Sequence, residues 1–188
     1  MAELYVNNAY NSLYPVRQIP YKMIDYLFKN NTELWKLLYY SQSTLNQPLV
    51  SDTIKANMIA NTSTGDLSKY QVFFQQYTTD ATLSGDAQIR IEVVRVEMPN
   101  NRTDALVKIL VQCIANNKAQ VIATDKSPID HRGFAMAQSI VESLNGTQLE
   151  GVKSQLFIDG SIDRQTGVYK TSFGDNFSGY EIIIDCWV

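Results

Sequence analysis

The chain has 188 residues, 45% of them hydrophobic and 19% charged, with a formal net charge of −3. A single domain of that length buries roughly 70% of its unfolded surface, so its core needs neither disulfides nor a metal. Mild acidity argues against the basic stripe that neutralises phosphates, and no apolar run of ~18 residues marks a membrane-spanning helix.

The first ten residues, MAELYVNNAY, lack the basic start and apolar stretch of a secretory signal, so a cytosolic protein is expected. Residues 1–19 scatter Tyr5, Tyr10 and Tyr14 among Asn and Ser, and Pro15 and Pro20 favour extended backbone there. This predicts an extended N-terminal arm over 1–19, followed by one α+β domain over 20–188. From Pro20, Ile24, Leu27, Phe28, Leu34, Trp35 and Leu38 recur at three- and four-residue steps. They predict a helix, broken at Asn30-Asn31-Thr32, where Asn31 or Thr32 caps a second short helix. Residues 43–70 predict a surface segment with short helical pieces, and QVFFQQY, 71–77, a strand.

Residues 87–101, AQIRIEVVRVEMPNN, alternate strictly, with Ile89, Ile91 and Val93 apolar. The phase then slips by one, to Val94, Val96 and Met98, which is the mark of a β-bulge. Pro99-Asn100-Asn101 is a turn, and ALVKILVQCIANN returns as a strand apolar on both faces. Such a strand lies centrally, or has its second face covered by another body. In SPIDHRGFAMAQSIVESLNG, Ser127 caps a predicted helix with Pro128 in its first turn. Phe134, Ala137, Val141 and Leu144 form its buried stripe, and Asn145-Gly146 ends it. VKSQLFID, a hairpin around GVYKTSF and the closing FSGYEIIIDCWV complete the strands. Two long strands joined by a turn favour antiparallel pairing. The expected class is therefore α+β, a mainly antiparallel sheet with helices packed on one face, plus the arm.

Chemistry-bearing patterns are sparse. The single histidine, His131, stands beside Asp130, the geometry of an oriented base, but its place also suits a polar residue near a helix cap. One His and two strand-borne cysteines, Cys113 and Cys186, do not make a zinc site. Asp159, Asp163 and Asp175 lack the spacing of a calcium loop. No phosphate-binding glycine pattern occurs. Neither catalytic residues nor a metal or cofactor is expected. The 11 tyrosines and the weakly charged, polar composition suit lasting protein contacts instead.

Four stretches resemble bacteriophage neck proteins of the tail-terminator or head–tail connector type. ELWKLLYYSQSTLNQPLVSD is similar to their N-terminal helix and following Leu-x-x-Pro segment, and RIEVVRVEMPNNRTDALVKILVQCIANN to their paired strands. AMAQSIVESLNG resembles their helix, and FSGYEIIIDCWV their closing strand. The resemblance implies a ring, commonly a hexamer, that ends the tail tube and joins it to the head. The partners implied are further copies of the chain, a tail tube protein and a head-completion or adaptor protein. DNA would pass through the lumen without specific binding, in a virion assembled in the host cytoplasm. Interface candidates are Tyr5, Tyr10, Tyr14, Asn100, Asn101, Tyr169, Phe173, Ile183 and Trp187. Another non-enzymatic tail, baseplate or capsid-accessory module is the alternative.

Overall fold

The computed structural model describes residues 2–60, 67–74, 85–98, 104–158 and 166–188, with backbone alone for 2–13. The fold is α+β. Helices α1 (Ala2–Asn30), α2 (Thr32–Tyr39) and α3 (Asp52–Met58) precede strands β1 (Val72–Phe73), β2 (Ala87–Glu97) and β3 (Leu106–Asn116). A short hairpin, β4 (Val121–Ile122) and β5 (Asp130–His131), leads into α4 (Arg132–Leu144). Strands β6 (Gly167–Phe173) and β7 (Phe177–Trp187) follow. The main sheet runs β1-β2-β3-β7-β6, with β1 parallel to β2 and every other pair antiparallel.

The expected extended arm is instead the first half of α1, which runs unbroken through Pro15 and Pro20. Each proline removes a helical hydrogen bond, at a cost of ~3 kcal/mol in an ordinary helix interior. Burial offsets it: Val16, Ile19, Met23, Ile24 and Leu27 lie in the core at helical spacing, and the ring of Pro20 is buried with them. The break at 30–32 is where the sequence places it. Asn31 caps α2 through Oδ1, which accepts from Leu34 N at 2.8 Å and from Ser139 Oγ at 2.8 Å. Its Nδ2 donates to Ser139 O and Ser143 Oγ, both at 2.9 Å, so one buried amide ties the α1–α2 corner to α4.

The phase slip in β2 is a bulge: pairing with β3 shifts between Val93 and Arg95, leaving Val94 unpaired and exposed. The inner face carries Ile89 and Ile91, then Val107, Ile109, Val111 and Cys113, then Ile182, Ile184 and Cys186, all fully buried under α1, α2 and α4. Both cysteines are free thiols. Cys113 pairs across with Tyr180, so Cys186 lies six residues further along β7, about 20 Å away, beyond disulfide reach. Burial pushes the Cys113 thiol up and the Cys186 thiol up to about 12.

The best-marked helix starts later than expected. Ser127 is not its cap; the segment 127–131 enters the β4–β5 hairpin, and His131 caps α4 through Nδ1, which accepts from Phe134 N at 3.3 Å. The buried stripe is Gly133, Met136, Ala137, Ile140 and Leu144, whereas Phe134 is exposed. Arg132, in the first turn, is wholly buried and donates to the carbonyls of Leu37 and Ser41 at the end of α2, where the helix dipole favours a cation. Asn145 and Gly146 (φ +77°) close α4 as expected. VKSQLFID is not a regular strand: it meets β7 in one bridge, between Phe157 and Asp185, and at Trp187, whose carbonyl accepts from Lys153 N and Ser154 N and whose N–H donates to Ser154 Oγ.

Candidate subunit interface

Alternation along β6 and β7 places Tyr169, Phe173, Ile183 and Trp187 on the outer sheet face, opposite the core. The pairing with β3 sets rows across that face. Leu106 faces Trp187, Lys108 faces Asp185, Leu110 faces Ile183 and Gln112 faces Glu181. Apolar rows thus alternate with polar ones. Lys108 Nζ lies 2.9 Å from Asp185 Oδ1, with the two side chains 15% and 4% exposed, and Gln112 Nε2 donates to Glu181 Oε1 at 2.8 Å. Towards β2 the same face is buried at Gln88, Arg90, Gln112 and Ile114. Towards the Trp187 end it is open: Leu106, Leu110 and Ile183 are half-buried and Trp187 is 37% exposed.

Of the candidate contact residues, the structure therefore brings Tyr169, Phe173, Ile183 and Trp187 onto one surface. Tyr14 is exposed but lies on α1, apart from them. Tyr5 and Tyr10 fall on α1 where backbone alone is described, and Asn100 and Asn101 lie outside the described residues.

Sequence reasoning missed a second surface, at the margin formed by β6. Val121 and Ile129 are 73% and 75% exposed, and Phe134 and Val168 are exposed as well. Val121 pairs with His131, whose ring stands edge-on to Tyr180 at 5.7 Å, and Phe134 meets Tyr180 at 5.3 Å. Tyr180 faces Lys170 of β6. The signal was available: Tyr180 has core-face parity, yet α4 opens with Gly133, too small to cover it.

His131 and Asp130 do not form a dyad. The Asp130 carboxylate accepts from the His131 main-chain N–H at 2.8 Å and from the Thr124 hydroxyl at 3.4 Å. Burial, then the charge of Lys170, holds the His131 pKa below its ordinary value. The neutral ring is therefore favoured in the fold, and stability is complete above the unfolded value of about 6.5. It falls as the pH drops from there through the lower folded value. Urea titrations from pH 7.5 to 5.0 check this. His131→Asn, which still caps but does not titrate, is expected to flatten that stretch of the curve and keep the stability at pH 7.5. An unchanged slope would clear His131 of the effect.

A search of the curated proteins finds none that matches. The model of the YomW family, which bears the name of a phage gene product, matches residues 31–186, from the Asn31 cap to Cys186 near the end of β7. That span takes in α2, α4 and all of the main sheet except Trp187, and the chain belongs to the YomW family of phage-associated proteins.

Proposed function

We propose that the protein is a non-enzymatic structural part of a phage virion, forming a ring at the head–tail junction that terminates the tail tube and joins it to the head. The observation that carries this reading is the open half of the outer sheet face, where Tyr169, Phe173, Ile183 and Trp187 share one surface with Leu106 and Leu110. Half-covered aromatic and branched side chains beside polar pairs are the composition of a protein–protein contact. The Lys108–Asp185 pair lies between the apolar rows, so apolar and polar strips alternate across this surface. Phage membership and the resemblance to neck proteins favour copies of the chain as the neighbours, with tube and adaptor proteins above and below. The protein's mild acidity suits a lumen through which DNA slides without sticking.

Particles assembled without the protein, viewed by negative stain, test the reading. Overlong tails, or tails unjoined to heads, are expected. Normal joined tails would overturn it, and defects confined to baseplate or capsid would move the protein to those parts.

A further inference from the structure

The open half of the outer sheet face and the β6 margin are both apolar, but they carry opposite charge. On the outer face the ion pairs Lys108–Asp185 and Arg95–Glu97 are closed within the copy. Glu92, opposite Leu110, and Glu181, two residues before Ile183, border the apolar row of Leu110 and Ile183. Both are half-buried, and neither is in an ion pair among the described residues. This surface therefore presents apolar side chains beside two uncompensated carboxylates.

The register makes the β6-margin residues one patch. Ile129 lies two residues before His131, so it shares a hairpin face with Val121, the partner of His131. The rings of His131 and Phe134 both meet Tyr180. Tyr180 lies opposite Lys170 on β6, and Val168, two residues before Lys170, is its diagonal neighbour. Lys170 is exposed and in no ion pair among the described residues. The Asp130 carboxylate is turned back into its own hairpin, on His131 N and the Thr124 hydroxyl. Here the apolar side chains surround a free cation.

Strand parity puts Ile183 and Leu110 on one face of the sheet and Tyr180 and Val168 on the other, so the two surfaces do not meet within one copy. A two-fold contact of either surface with itself sets carboxylate against carboxylate, or Lys170 against Lys170. A head-to-tail contact sets acid against base, and contacts of that kind generate rings when the rotation closes.

We infer that the outer face of one copy, around Leu110, Ile183 and Trp187, packs on the Val121–Ile129–Phe134–Val168–Tyr180 patch of the next, with Glu92 and Glu181 towards Lys170. This rests on the ring reading above and names the surface that the outer face meets.

Particles assembled from a mixture of light and heavy-isotope copies are treated with a carbodiimide, which joins touching amines and carboxylates. Light-to-heavy links from Lys170 to Glu92 or Glu181 are expected. Two full-length variants, Phe134→Asp and the double change Glu92→Lys with Glu181→Lys, are each expected to weaken self-association about tenfold or more by light scattering, with melting transitions retained. Mixed together they are expected to form one-to-one pairs and stop, because each keeps the surface that the other has lost. If copies are linked only through other residues, or Phe134→Asp associates as the parent does, this contact is wrong and the ring stands on other surfaces. If single copies persist even inside particles, the ring reading itself falls.

Discussion

Gly179→Ala is expected to abolish the folded state. Gly179 lies on β7 opposite Ile114, and a Cβ there would stand 1.8 Å from the carbonyl oxygen of Cys113 and 2.9 Å from its carbon. It would also come within 3.2 Å of Ile114 Cα. These are main-chain atoms of the central strand, so no side chain can swing away. The opposite approach is closed too. A Cβ on Gly133, in the first turn of α4, would be 3.1 Å from Gly179 Cα, so helix and strand meet glycine to glycine. Relief requires prying β7 from β3. The cost, more than about 4 kcal/mol, approaches the 5–15 kcal/mol that holds a typical domain together. Soluble yield and urea denaturation measure it. Gly85→Asn is the control, since Gly85 (φ +73°) has open space around it and Asn tolerates that backbone, at a cost of about 1 kcal/mol or less. A Gly179→Ala protein that melts within a few degrees of the parent would refute the three-way convergence.

Asn31→Ala should be the next most damaging single change. The side chain is 4% exposed and uses its full hydrogen-bonding capacity, two acceptances and two donations. Removing it deletes the α2 cap, worth about 1 kcal/mol, and strands buried groups on α4 at about 1–3 kcal/mol. A total near 3 kcal/mol lowers the melting temperature of a chain this size by roughly 6–12 °C. Asn31→Asp keeps the cap but loses both donations, and an intermediate melting temperature is expected from it. Equal losses from Ala and Asp would assign the whole effect to the bonds with α4.

The sheet was legible where a single period governs. The shift from Val93 to Val94 announces the bulge because one extra residue reverses every later side chain in β2. The two-faced β3 is central, as its composition requires. Helix α1 shows the limit. Val16, Ile19, Met23 and Leu27 already spell one helical face, but Pro15 and Pro20 carry a stronger local preference, and only the buried stripe overrides it. The start of α4 was misread for a related reason. Ser127-Pro128 is a good cap in isolation, yet Ser127 spends its hydroxyl on the Ile129 carbonyl within the turn, and the cap passes to His131.

The outer sheet face was legible by parity alone. Counting in twos from Ile182 puts Ile183 and Trp187 outward without any knowledge of pairing. What counting does not reveal is that Leu106 and Leu110 join them, or that Lys108 and Asp185 intervene, because those rows depend on the register between strands far apart in sequence. The β6-margin patch was harder still. Val121, Phe134 and Val168 come from three separate elements and Ile129 from the loop between β4 and β5, each an exposed apolar residue of no note by itself.

The placement of the two thiols has a practical sequel. Cys113 and Cys186 share the inner face but sit too far apart to join, and burial keeps both protonated at neutral pH. No disulfide between them is therefore expected when the molecule passes from reducing to oxidising surroundings. It can also carry a probe on an added surface cysteine with its native sulfur atoms left in place.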